Sequence, residues 1–238
     1  MLAPIEAGPG SIPELVLGLG EAPLQLLRPG HIPHQTRMVR FGSFRSQTVE
    51  VLQVPEPGRL TILVTPEGIP SETRTLFLFA SACARRLPAY TFVLRCHPQV
   101  PMAKALQLVP QDLAKQPNIM LSERPSIDED FRRASVVLYR GSSSVLYAIL
   151  HGLLPVCLQL EGTADRDPLY RLPVWRQRCT NPKEFGELME DYRRTSPDER
   201  KTEWAEAVRY VQAYTGPVQA EVVQAFVSAA GLNGSRPS

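Results

Sequence analysis

No stretch of the chain is apolar for long enough to cross a bilayer. The longest runs, 76–84 and 145–150, fall well short of the ~20 residues a spanning helix needs. Neither sign of charge is in excess: 26 lysines and arginines face 24 aspartates and glutamates, a formal net charge of +2. That excludes an electrostatic case for nucleic acid as a partner. No signal peptide is expected either, because residues 1–20 show neither a basic n-region nor a clean apolar h-region. Cysteine is scarce. Cys83, Cys96, Cys157 and Cys179 are the four, and no two stand at metal-ligand spacing. Buried free thiols in a reducing compartment are expected, hence the cytoplasm. No internal repeat or low-complexity tract is present.

Proline, in contrast, is abundant, with 23 residues. Several, such as Pro66, Pro98 and Pro168, punctuate the passage from strand to loop. Residues 1–58 differ in kind from the rest. They are rich in Gly and Pro, with a short helical pattern near 14–19. Two strands are expected at 36–41 and 48–54, joined by a Gly-Ser turn, and then a linker at 55–58. Gly18-Leu19-Gly20 lacks a preceding strand and a third glycine, which argues against a dinucleotide fingerprint.

From Arg59 the pattern becomes regular. The run LTILV at 60–64 is continuously apolar and of strand length, which predicts burial on both faces. Further strands are predicted at 91–94 (TFVL), 119–121, 135–139 (SVVLY) and 154–158. Helices are predicted at 71–86, 102–108 and 142–151, the last closed by Gly152. Ser126 with Glu129 three residues on forms a capping box. Asn181-Pro182 and Ser196-Pro197 open two more helices. Val218, Val222, Val223, Phe226 and Val227 mark the apolar face of a last one. Strands alternating with helices predict an α/β fold: a Rossmann-like, mostly parallel sheet with helices on both faces. It should occupy 59–230, with a frayed tail at 231–238.

Ligands of open α/β sheets bind outside the carboxyl ends of the strands. Those ends carry Thr65-Pro66-Glu67-Gly68, Arg95-Cys96-His97-Pro98, Ser122-Glu123, Arg140-Gly141-Ser142-Ser143-Ser144 and the polar loop 161–167. The 140–144 turn combines a glycine, three hydroxyls and a helix start. That suits a phosphate, or else Ser142 or Ser143 simply caps the helix. It is not a Walker A loop, since no Gly-Lys-Ser follows. His97 could donate to a phosphate or act as an acid, with Arg95 beside it and the serine turn expected on a neighbouring strand end. Glu67 is a candidate general base. The run Asp128-Glu129-Asp130 reads as the acidic first turn of a helix rather than a metal site, and Asp165 and Asp167 as loop carboxylates.

Two of these motifs carry a resemblance. His97-Pro98 follows a buried strand, and Ser142-Ser143 opens a helix after a later strand, followed by Gly152-Leu153-Leu154-Pro155-Val156. The pattern resembles the C-terminal, donor-binding half of a GT-B glycosyltransferase, over roughly residues 59–180. Bacterial sialyltransferases, capsule polysaccharide transferases and teichoic-acid glycerophosphotransferases show similar HP and SS elements in similar order. The resemblance implies that His97 contacts a nucleotide or its phosphate and that Ser142 and Ser143 hold the phosphate. A GT-B enzyme has two Rossmann-like domains, the first carrying the acceptor site and often the base. Here 58 residues precede the donor-type domain. The chain is therefore expected to be a fragment, or to need a partner protein that supplies an acceptor domain.

The function expected is transfer from a nucleotide-sugar donor, of CMP or UDP type, to a glycan or lipid-linked acceptor in surface polysaccharide assembly. It would take place in the cytoplasm or at the inner membrane, without a metal or other cofactor. Glu67 and His97 are the expected catalytic residues. Arg95, His97, Arg140, Gly141, Ser142, Ser143 and Ser144 are the expected phosphate ligands, stabilising the departing phosphate. The alternatives are a nucleotide-sugar epimerase, a glycerophosphotransferase-like enzyme, and a non-catalytic scaffold built on a donor-like domain.

Overall fold

Residues 13–27, 36–43, 60–163 and 166–229 are described by the structure, a computed structural model. The chain divides into two units, residues 1–50 with 209–238 and residues 51–208. The segment from Arg209 onward thus groups with the N-terminal segment, where the sequence reading ran one domain through 59–230.

In the smaller unit, β1 (Leu15–Gly18) leads through α1 (Glu21–Leu27) to β2 (Arg37–Arg40). The two strands pair in parallel, from Leu15 against Arg37 to Gly18 against Arg40. This corrects the helix expected near 14–19. Leu15, Val16 and Leu17 are too few for a helix to nucleate before Gly18, and they gain a ladder instead. Gly18-Leu19-Gly20 does follow a strand, so that reason for setting it aside falls. A different one replaces it. A Cβ on Gly20 would lie 2.5 Å from the Ala213 carbonyl oxygen, so close packing accounts for that glycine. The strand expected at 48–54 and the linker at 55–58 lie outside the described residues.

The larger unit begins with β3 (Thr61–Thr65), α2 (Pro70–Arg86), β4 (Thr91–Leu94), α3 (Met102–Gln107) and β5 (Ile119–Leu121). Then follow α4 (Ile127–Phe131), β6 (Val136–Tyr139), α5 (Ser144–Leu150), β7 (Leu154–Leu158), β8 (Gln177–Cys179) and α6 (Pro182–Arg194). The six strands are all parallel, in the order β5-β4-β3-β6-β7-β8. Ile62, Leu63 and Val64 are fully buried, as a central strand covered on both faces requires. β8 was not anticipated: Gln177-Arg178-Cys179 has no apolar run, and as an edge strand it buries only Cys179. The order of strands reverses between β3 and β6, which opens a crevice beyond their carboxyl ends.

Packing on the two faces fixes that edge. On α6, Phe185 is fully buried, with ring centroids 6.1 Å from Phe92 and 6.2 Å from Phe79. Burial of such a ring stabilises by about 1.5–3 kcal/mol. Asn118, before β5, donates its side-chain amide to the carbonyls of Ala84, Leu87 and Tyr90 at 3.0–3.2 Å. It thereby satisfies acceptors at the end of α2 and the entry to β4. The indole N–H groups of Trp175 and Trp204 donate to the Leu153 and Ile149 carbonyls. Asn181 caps α6 through Lys183 and Glu184, as its sequence predicted. Gly152 takes a φ of 81° just beyond α5, the αL conformation expected there. All four cysteines are free thiols; Cys83, Cys157 and Cys179 are buried, and burial pushes Cys83 up to about 12.

α7 (Pro197–Tyr214) runs across the division between the units, and α8 (Ala220–Ala229) belongs to the smaller one. Val222, Val223 and Val227 are half-buried and Phe226 is exposed, so the predicted apolar face of α8 is only partly covered. Among the described residues, no helix is long and apolar enough to cross a membrane.

Candidate functional site

At the reversal point the loop after β3 lies between two neighbours. On the β4 side is His97: a Cβ on Gly68 would lie 2.8 Å from its Nδ1. The same nitrogen accepts from the Gln99 N–H at 3.2 Å, which leaves Nε2 to carry the proton of the neutral ring. On the β6 side is Gly141, whose φ of 74° admits glycine at little cost. A Cβ there would collide with Oε1 of Glu67. His97 and the serine turn are therefore not on neighbouring strand ends. β3 and its Glu67-Gly68 loop stand between them.

A cavity of about 240 Å³ opens beside this loop, and Glu67, Arg140, Gly141, Thr163, Arg166 and Thr180 are among its lining. Both of its arginines meet carboxylates. Arg140, buried at the end of β6, binds Glu72 through Nη1 and Thr163 through Nη2 at 3.0 Å. Arg166 stands 3.6 Å from both Glu67 Oε2 and Glu72 Oε1. Oε1 of Glu67 and Oγ1 of Thr65 are buried and have no hydrogen-bond partner. Unmet acceptors in a crevice are costly unless a ligand or water meets them.

Of the 140–144 turn, Arg140 and Gly141 line the cavity and the three serines do not. Ser142 and Ser144 share a hydrogen bond at 2.8 Å. Ser143 is exposed and sits at the N-cap of α5 without a side-chain cap bond. The capping alternative for Ser143 is thus not what the structure forms.

Arg95 is drawn away from the other candidates. Its Nη1 meets Asp130 at 2.5 Å, Ser122 at 3.3 Å, and the carbonyls of Arg124 and Ser126 at 3.2 Å. It ties β4 to the β5–α4 connection, a structural use that the sequence reading as a phosphate ligand did not anticipate. Asp128 and Asp130 serve His151 and Arg95, and Ser126 caps α4 through the Asp128 N–H. Asp167, far from a solvated loop carboxylate, is fully buried. It accepts from the Tyr139 hydroxyl at 2.6 Å, from the Leu169 N–H and from Arg176. Burial, and then that carboxylate, hold the Tyr139 phenol well above its usual range. Among the described residues no group of three His, Cys, Asp or Glu could hold a metal ion.

Thr163, Arg166 and Thr180 of the lining, and Glu72, which pairs with Arg140, were not singled out in the sequence. Glu72 reads as an ordinary acid in the first turn of a helix. Thr163 and Arg166 were visible only as part of the polar loop after β7.

The strand order and the crevice can be set against solved structures. The calicheamicin glycosyltransferase CalG4 superposes with a TM-score of 0.56 at 17% identity, over 94% of this chain and 53% of that one. MurG of Acinetobacter baumannii gives 0.51 at 14%, over 92% and 67%. The wall teichoic acid polymerase TagF gives 0.52 at 11%, over 92% and 58%. The fold is that of GT-B glycosyltransferases. At these identities the likeness concerns the GT-B fold alone, and the chain spans 53–67% of the length of these three structures. The sequence matches no protein-family model and no curated protein.

Proposed function

We propose that the larger unit binds a nucleotide-sugar donor and serves a GT-B type glycosyl transfer in surface polysaccharide assembly. The observation that carries this reading is the strand reversal between β3 and β6 with the 140–144 turn directly beyond it. A phosphate placed there meets the Ser142 and Ser143 hydroxyls and the backbone N–H groups of the turn, with His97 across the Glu67-Gly68 loop offering an Nε2 proton. Hydrogen bonds to charge developing on a departing phosphate are the main catalytic term available. Glu67, with one carboxylate oxygen unmet, is the acceptor of a proton from an incoming hydroxyl. The acceptor is a glycan or lipid-linked sugar held by a partner protein. Among the described residues, the smaller unit's sheet has two strands.

Calorimetry with CMP, UDP and GDP on the folded chain tests the reading. One of the three should bind in the micromolar to millimolar range, with little sugar transfer by this chain alone. No binding of any of them at millimolar ligand would end the donor-site assignment. The likeness to TagF favours a second reading, transfer of glycerophosphate units. Offering CDP-glycerol and a sugar nucleotide side by side, and analysing the products, separates the two.

A further inference from the structure

The two arginines of the cavity are not equivalent. Arg140 is buried, with a side-chain exposure of 9%, and both of its terminal nitrogens are held, by Glu72 and by Thr163. Arg166 has a side-chain exposure of 46%, and its contacts with Glu67 and Glu72 are each 3.6 Å. A charge-assisted N–H···O bond closes to about 2.7–2.9 Å, so neither contact has become one. Arg166 is attracted to both carboxylates and fastened to neither.

We propose that Arg166 is the cation that clamps an anionic ligand in this cavity, with Glu67 as the internal counter-ion that the ligand displaces. The inference rests on the donor-site reading and adds the residue that grips the ligand. Two guanidinium groups, Arg140 and Arg166, line the cavity beside the carboxylates of Glu67, Glu161 and Asp167, with Glu72 held behind Arg140. An entering phosphate ester brings surplus negative charge. Arg140 cannot answer it without abandoning Glu72 in a buried site, which is strongly unfavourable. Arg166 can, because it gives up only two long contacts. Glu67 is then left with both oxygens unmet, one of them already buried without a partner. The ligand that completes the exchange therefore carries hydroxyl donors next to its phosphate. Its class is a sugar phosphate rather than a bare anion.

Inorganic pyrophosphate isolates the charge part of the exchange, since it has no base or sugar. Titrated calorimetrically into the full chain, it should bind Arg166→Ala about tenfold more weakly than wild type, with Arg166→Lys in between. Glu67→Gln should bind it more tightly than wild type, because the competing carboxylate is gone. That gain should vanish in the Arg166→Ala background. Should Arg166→Ala fail to fold, Arg166→Lys and Glu67→Gln decide the matter. Equal pyrophosphate affinity in wild type and the Arg166 variants overturns the proposal, as does weaker binding by Glu67→Gln. If wild type binds a nucleotide but not pyrophosphate, the clamp falls and the donor site stands. If it binds no nucleotide either, both fall.

Discussion

The Tyr139 hydroxyl donates to Oδ1 of Asp167 at 2.6 Å, joining the last residue of β6 to the loop beyond β7 where neither group meets water. That bond helps set where the far wall of the cavity stands. Tyr139→Phe removes it without changing the ring, and a buried hydrogen bond to a charged group contributes about 1.5–3 kcal/mol. We expect chemical denaturation to show a loss in that range. A variant as stable as wild type would mean that Arg176 and the Leu169 N–H suffice for Asp167.

Asn118→Ala strips a donor from three carbonyls at once, of which that of Leu87 keeps the Tyr90 N–H and those of Ala84 and Tyr90 are buried. Buried acceptors left unmet cost roughly 1–3 kcal/mol each, and partial rehydration at the helix end lowers the sum. We expect a destabilisation on the order of 3 kcal/mol, visible as a clear fall in melting temperature. Asn118→Asp should be worse, because it turns a carboxylate toward carbonyl oxygens.

His151 carries a pH signature. Its Nε2 lies 3.3 Å from Asp128, yet burial wins and lowers its pKa from the ordinary value of 6.5. The unfolded chain then binds a proton that the folded chain refuses. The neutral ring's contribution is complete above about pH 6.5 and is lost as pH falls toward the lower folded value. Melting temperatures measured from pH 7.5 down to 5.5 should decline, and His151→Gln should flatten that part of the decline. A slope unchanged in the variant would assign it to other groups.

Ser143→Ala should leave stability within about 0.5 kcal/mol of wild type, since the hydroxyl is exposed and makes no cap bond. Nucleotide affinity should fall about ten- to hundredfold if the hydroxyl meets phosphate. Paired melts and titrations check both. Unchanged affinity would remove Ser143 from the phosphate site and leave its neighbours to carry it.

Strands built mostly of apolar residues were legible in the sequence: LTILV, TFVL and LPVCL fall on β3, β4 and β7 within a residue. β1 and β8 were not, because a short strand can be held by its ladder rather than by an apolar run, and neither LVLG nor QRC carries enough of one. The site divided the same way. Its location followed from topology, which strand alternation reveals. Its pairings did not. Arg95 and Arg140 look alike at their strand ends, and only the fold shows that one is bound to Asp130 and the other to Glu72. Arg166 belongs to the cavity because a loop returns to it, a relation with no local trace.

Both of the chain's two tryptophans lie in the larger unit, and their indoles grip carbonyls at either end of the short connection from α5 to β7. Intrinsic fluorescence is thus a report from one place. Excited at the indole band, the protein will register the moment that connection opens; the smaller unit holds no tryptophan and calls for a reporter introduced there.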